Sequence, residues 1–124
     1  MRRKKKTVGL IERVEVIGKK VVSANAKFDT GASGNSIDTT LAAKAQLGPI
    51  VSVVKIKQAN LKEPKRRPVV DVTFRIKGKK YKTRANIEDR SHMSYPVLIG
   101  RELIRNNFVV DVAKTGRRKK AKKC

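Results

Sequence analysis

The residues best suited to chemistry in this sequence form one short stretch, Asp29-Thr30-Gly31. The small and β-branched residues at 21–26 precede it and predict a strand. Gly31 permits a tight turn or a close backbone approach, so Asp29 would be presented at the end of a strand by a rigid turn. A carboxylate held in this way can act as a general acid or base. The same triplet also suits an ordinary turn between two strands, so the interpretation needs a second signal.

The second signal lies far downstream, at residues 95–104. Apolar residues there lead into Gly100 and Arg101 and then into a short amphipathic segment. This pattern predicts a buried strand followed by a short helix. Within residues 89–101 the sequence also carries an unusual polar loop that contains the only histidine, His92.

In order and separation these segments resemble the retroviral-type aspartic proteases, in which a strand, Gly-Arg and a helix pack under an Asp-Thr-Gly loop. The resemblance narrows to a retropepsin-like family labelled "ATP-dependent zinc protease" and associated with RimK-type glutamate ligases. It covers roughly residues 8 to 113. The residues that carry it are Asp29-Thr30-Gly31-Ala32, Arg67-Pro68-Val69-Val70, Asp89-Arg90-Ser91-His92-Met93, Tyr95-Pro96-Val97-Leu98-Ile99-Gly100-Arg101 and Phe108-Val109-Val110-Asp111-Val112.

This resemblance implies a homodimer. Aspartic peptidases activate a water with two carboxylates that share one proton. The sequence has one Asp-Thr-Gly and no internal repeat, so the second Asp29 would come from a second chain across a two-fold axis. The resemblance assigns catalysis to Asp29, Thr30 and Gly31, with Thr30 hydrogen-bonded across that axis.

Two departures from the family pattern bear on substrate binding. Ser33 stands where retroviral proteases have an acid that pairs with the helix arginine, so Arg101 must pair elsewhere or remain free for a substrate carboxylate. Residues 60–67 lie where a retropepsin has its flap, and here they are basic, with Arg66 and Arg67. We expect Arg66, Arg67 and Arg101 to bind substrate, because guanidinium groups bind carboxylates. We also expect Ala32, which follows the Asp-Thr-Gly triplet, to contact the substrate. The alternative is that residues 60–67 form a solvated charged loop.

The zinc and ATP of the family label have no support in the sequence. A zinc site needs three or four ligands, whereas His92 is the only histidine and Cys124 the only cysteine. Neither a His-Glu-x-x-His motif nor a P-loop is present. We therefore expect no metal site and no cofactor, and we interpret His92 as a structural loop residue.

Charge separates the chain into three parts. The net charge is +22, and residues 1–6 and 114–124 contain twelve basic and no acidic residues. These composition shifts predict disordered basic tails at 1–6 and 114–124 around one domain at 7–113. The tails could attract RNA or ribosomes non-specifically. The lone cysteine and the absence of a long apolar run suggest a cytoplasmic protein without a membrane segment.

Short alternating segments with turn signals predict seven or eight strands and one or two short helices. The strands are expected at 7–16, 20–28, 36–37, 50–58, 68–77, 80–87, 96–99 and 108–112. Short helices are expected at 39–46, with Thr39 or Thr40 near the cap, and at 101–106. This is typical of an all-β, closed, mostly antiparallel barrel. The resemblance implies that the barrel is of the retropepsin-like acid-protease type. The leading hypothesis is a homodimeric aspartic peptidase that acts on acidic substrates, plausibly poly-glutamate. The alternatives are a non-catalytic dimeric module that binds RNA or ribosomes, and a zinc-dependent protease.

Overall fold

A computed structural model describes residues 4–57 and 62–115 of the chain. Within these residues the chain forms nine strands and two short helices. In chain order they are β1 (Lys6–Gly9), β2 (Ile11–Ile17), β3 (Val21–Phe28), β4 (Asn35–Asp38), α1 (Thr39–Ala45), β5 (Ile50–Ile56), β6 (Lys65–Ile76), β7 (Lys79–Glu88), β8 (Val97–Ile99), α2 (Arg101–Asn107) and β9 (Phe108–Asp111).

Six of these strands close into a barrel. The order is β2-β3-β8-β4-β7-β6, and β6 pairs back onto β2, so Val16 lies opposite Phe74 at the seam. β5 joins the outer edge of β6, and β1 pairs with β9 in a separate two-stranded sheet. Five of the eight pairings that the described strands make are antiparallel. The predicted closed, mostly antiparallel barrel with short helices is therefore confirmed.

Strict alternation along the strands fills the barrel. On β6, Val70, Val72, Phe74 and Ile76 are all buried, while the residues between them face outward. Phe28 and Phe108 meet edge to face, with ring centroids 5.5 Å apart. A fully buried side chain of this size contributes about 1.5–3 kcal/mol to folding, so this alternation supplies most of the stabilisation available to a small domain.

The predicted elements differ from the observed ones in three places. Residues 7–16 are two strands rather than one, because Leu10 leaves the ladder and its nitrogen donates to the carbonyl of Lys114 at 2.7 Å. The cap of α1 is Asp38, not a threonine: its carboxylate accepts from the nitrogen of Thr40 at 3.0 Å. β6 begins at Lys65 rather than Pro68, because residues 65–67 pair with β5.

The predicted basic tails lie mostly outside the described residues. β1 already begins at Lys6, and Lys114 contacts Leu10, so the structured part reaches slightly beyond residues 7–113. The division into tail, domain and tail stays a prediction.

None of the described helices has the length and apolar character needed to cross a membrane.

Candidate active site

Asp29 lies directly after β3 and is the first residue of a tight turn. Its backbone nitrogen donates to the carbonyl of Ile99 at 2.8 Å, which continues the pairing of β3 with β8. The nitrogen of Gly31 donates to Oδ1 of Asp29 at 2.8 Å, and the nitrogen of Ala32 donates to the Asp29 carbonyl at 3.2 Å. The carboxylate is thus oriented by its own turn while staying partly open to solvent. Thr30 and Gly31 are exposed.

The start of α2 holds this turn from below. The nitrogen of Arg101 donates to the carbonyl of Ala32 at 2.8 Å, and the nitrogen of Glu102 donates to the carbonyl of Ser33 at 3.0 Å. Nη1 of Arg101 donates to the carbonyl of Thr30 at 3.1 Å. Arg101, which lacks the acidic partner of retroviral proteases, therefore pairs with the backbone of the turn itself. Its role toward substrate stays a prediction.

Gly100 lies against the same turn so closely that a side chain would not fit. A Cβ there would collide with the carbonyl oxygen of Gly34 and come within 2.8 Å of that of Ala32. The close approach lets α2 begin directly beneath the turn. Sequence analysis identified Gly100 from its place between strand and helix, but the pattern did not show which backbone it meets.

Asn35 is a site residue that sequence reasoning missed. It is only 2% exposed, and its Oδ1 accepts from the nitrogen of Gly100 at 3.0 Å. Its Nδ2 donates to the carbonyl of Arg84 at 2.9 Å, which ties β4 to β7. One amide thus connects the turn, the start of α2 and the barrel wall. The available signal was its place in the loop that continues from the Asp29 turn, directly before the strand predicted at 36–37.

Polar side chains also connect β4 and β7 in the barrel wall. Leu98, Ser36 and Asn86 are cross-strand neighbours on β8, β4 and β7, so their side chains share one face. The hydroxyl of Ser36 donates to Oδ1 of Asn86 at 3.0 Å, and Nδ2 of Asn86 donates to the carbonyl of Asn35 at 3.0 Å. Ser36 is only 6% exposed, so these bonds hold the strands that carry the turn rather than face a substrate.

The other predicted substrate-binding arginines lie on the first three residues of β6, Lys65–Arg67, which we call the flap root. Arg66 is exposed and lies opposite Lys55. Arg67 is largely buried and forms an ion pair with Glu88, with Nη2 3.0 Å from Oε1. Of the two, Arg66 is the one whose charge remains open to solvent. Residues 60 and 61 of the predicted flap lie outside the described residues.

Glu88 also joins the flap root to the loop at 89–96. Its Oε2 lies 3.0 Å from Nη1 of Arg90, a residue only 6% exposed. Nε of Arg90 donates to the carbonyl of Tyr95 at 2.9 Å, and its backbone nitrogen donates to Asp38 at 2.7 Å. Two buried guanidinium groups thus share one carboxylate. Sequence analysis singled out this loop but did not predict the cluster.

Asp89 begins the same loop at the surface. Hydrogen bonds from the side chain and backbone of Ser91 lower the pKa of the Asp89 carboxyl. The backbone bond, from the Ser91 nitrogen to Oδ1, is 2.9 Å long. His92, two residues further, is exposed. The turn thus favours the charged form of the Asp89 carboxylate.

No three histidine, cysteine, aspartate or glutamate side chains come together among residues 4–57 and 62–115. The donor set that a structural or catalytic zinc ion needs is not assembled in this part of the chain.

The RimB-like family, described as the retropepsin-like aspartic endopeptidase RimB, matches residues 34–121. The chain belongs to this family of retropepsin-like aspartic endopeptidases. The match begins after the Asp29-Thr30-Gly31 turn, so the assignment of Asp29 depends on the turn geometry described above. No curated protein sequence matches the chain.

Solved structures share the fold of this RimB-like chain, and they confirm the predicted retropepsin-like barrel. A Legionella pneumophila protein of unknown function is 22% identical, with a TM-score of 0.64, over 90% of this chain and 97% of its own. The simian foamy virus protease is 17% identical, with a TM-score of 0.57, over 77% of this chain and 91% of its own. The EIAV protease, solved with an inhibitor, is 18% identical, with a TM-score of 0.55, over 77% of this chain and 84% of its own. At these identities the likeness concerns the fold.

Proposed function

We propose that the chain is a homodimeric aspartic peptidase that hydrolyses peptide bonds with a water activated by two Asp29 carboxylates. The observation that carries this proposal is the Asp29 turn. It presents a partly exposed carboxylate whose Oδ1 is fixed by the Gly31 nitrogen at 2.8 Å. The RimB-like family, described as aspartic endopeptidases, and the retropepsin-like fold also support the proposal.

The reaction needs a second carboxylate that each chain lacks. In a two-fold dimer the two Asp29 side chains share one proton. The charged one takes a proton from water as the water oxygen attacks the peptide carbonyl, and the protonated one donates to the carbonyl oxygen. Proton transfer to the leaving nitrogen then breaks the C–N bond. Arg101 and Asn35 contribute by holding the turn through Thr30 and Gly100.

We further propose that the substrate is acidic, namely a poly-glutamate segment. Residues 7–113 contain twenty basic and ten acidic residues, so the domain attracts negative charge. The exposed guanidinium of Arg66 at the flap root supports this choice. So does the association with glutamate ligation implied by the family resemblance.

The first test is Asp29→Asn, which keeps the shape of the side chain and removes the shared proton. Cleavage of oligo-glutamate, followed by mass spectrometry, should fall to background. Asp111→Asn is the matched control, since that carboxylate accepts only a local turn bond from Ala113. Its activity should equal that of the wild type. An active Asp29→Asn protein, or wild-type activity abolished by a chelator and restored by zinc, would contradict the mechanism.

Mixing tests the dimer directly. If each site needs two Asp29 residues, adding excess Asp29→Asn protein to the wild type should suppress activity far more than dilution does, because mixed dimers are inactive. Sedimentation should show the dimer at the same concentrations. Activity that follows only the amount of wild-type chain would mean that one chain suffices.

A further inference from the structure

One charged surface lies outside the Asp29 turn and takes no part in the proposed reaction. It is the outward face of β7, where Lys80, Lys82 and Arg84 alternate with inward-facing residues. All three are exposed. We call these three residues the cation row.

Among the residues that the structure describes, Arg84 is the only member of the cation row in an ion pair. Arg84 pairs with Asp71 at 3.1 Å, at an exposed position. Lys80 lies directly opposite Arg75, which is itself paired with Glu15, and Lys82 lies opposite Thr73. Like charges in directly opposite positions repel each other, so an added anion would be favoured at Lys80. Lys82 adds a second positive charge on the same face of the strand.

The spacing of the cation row fits an extended chain. Alternate residues of a strand are about 6.6 Å apart on one face, and an extended polypeptide presents its own alternate side chains at the same interval. Acidic side chains of an extended peptide can therefore meet the row one for one. Aromatic platforms that single-stranded nucleic acids stack on are missing from the described face, since Phe74 and Tyr81 are both buried.

The cation row also leads toward the active-site turn. A groove of about 570 Å³ is lined by Lys82, Arg84 and Glu102, among others. The nitrogen of Glu102 donates to Ser33, and the Arg84 carbonyl accepts from Asn35, so both residues adjoin the turn region. Glu102 and Asp71 bring negative charge to this groove, so the anion preference is strongest at Lys80, which lies outside its lining.

We infer that the cation row is an exosite that binds an extended acidic polypeptide outside the Asp29 cleft. This inference rests on the proposed function, because it takes the distal part of the acidic substrate as the ligand. A chain cleaved at Asp29 would then be held at two places. Long acidic substrates would be retained better than short ones.

Binding can be measured apart from hydrolysis in a protein that also carries Asp29→Asn, so that the probe is not consumed. The probe is a fluorescent oligo-glutamate of about ten residues, which spans about 33 Å when extended. Lys80→Gln with Lys82→Gln should weaken its binding, measured by anisotropy, about three- to tenfold. The control, Lys44→Gln with Lys114→Gln, removes the same charge from other exposed positions and should change binding less than about twofold, since distant charges are screened.

If the two double variants weakened oligo-glutamate binding equally, net charge alone would bind the peptide, and the inference would be overturned. The inference would also be overturned if the change of Lys80 and Lys82 abolished binding of single-stranded RNA and left binding of oligo-glutamate unaffected. If the two pairs differ as expected but the wild type cleaves nothing, the exosite stands and the proposed peptidase function fails. Urea unfolding midpoints of both double variants verify that they fold. The change of Lys80 should not lower stability, because it removes a like charge opposite Arg75.

Discussion

The side-chain oxygen of Asn35 accepts a hydrogen bond from the backbone nitrogen of Gly100, 65 residues away in the chain, at 3.0 Å. It is a buried bond, and through Gly100 it fixes where α2 begins beneath the Asp29 turn. The position of the carboxylate therefore depends on an amide that does no chemistry.

Asn35→Ala should destabilise the protein by about 2–5 kcal/mol, because it leaves the Gly100 nitrogen and the Arg84 carbonyl buried without a side-chain partner. Urea unfolding measures this cost. Asn25→Ala is the control: it removes only a long 3.3 Å bond from Arg13 at an exposed position. That variant should stay within about 0.5 kcal/mol of the wild type. Similar costs for the two would show that Asn35 holds nothing.

Gly100→Ala should separate α2 from the turn, since the new methyl meets the backbone of Ala32 and Gly34. We expect a loss of about 3 kcal/mol or more, beyond ordinary overpacking because rigid backbone must move. Gly34→Ala is the matched control, where a Cβ would lie 3.8 Å from Glu102. Thermal melts of the two compare them, and a Gly100→Ala protein as stable as Gly34→Ala would refute the close-contact argument.

Glu88→Gln should leave the charges of Arg67 and Arg90 buried without compensation, at a cost of about 2–4 kcal/mol, somewhat below the range for fully buried pairs. Glu15→Gln breaks the half-exposed pair with Arg75 and should cost about 1 kcal/mol or less. Chemical denaturation of both variants provides the comparison. If Glu15→Gln were the more damaging change, the cluster at Glu88 would have no structural importance.

The arginines of the flap root should respond differently to substitution. Arg66→Gln removes an exposed charge, so the KM for an acidic peptide should rise about two- to fivefold, with little change for a neutral peptide of equal length. Arg67→Gln removes a partner of Glu88 and should mainly lower stability. Steady-state kinetics on the two peptides separates these effects. Equal turnover of acidic and neutral peptides by the wild type would end the poly-glutamate proposal.

Local patterns predicted much of this architecture. Val70, Val72, Phe74 and Ile76 alternate with more exposed residues because one face of the barrel wall is buried and the other faces solvent. This two-residue period can be read directly from the sequence. The Asp29 turn and the strand before Gly100 were likewise found from local residue types. The elements β2 to β9 lie within a few residues of their predicted limits, except that β6 begins three residues early.

The long-range polar contacts could not be found in this way. Asn35 and Arg90 each look like surface residues in the sequence, yet both are buried through partners from other elements. The bond from the Arg90 nitrogen to Asp38 joins residues 52 positions apart. Such pairs depend on the barrel register, which emerges only when all six strands are placed.

The closure of the barrel through β2 and β6 has a mechanical consequence for β5. Because the ring is complete without it, β5 can detach from β6 while the hydrophobic interior stays sealed. Its exposed Ile50, Val51 and Val53 give up little buried area in such a movement. The free-energy cost of freeing β5 is therefore separate from the cost of unfolding the barrel. β5 can move while the six-strand ring keeps its shape.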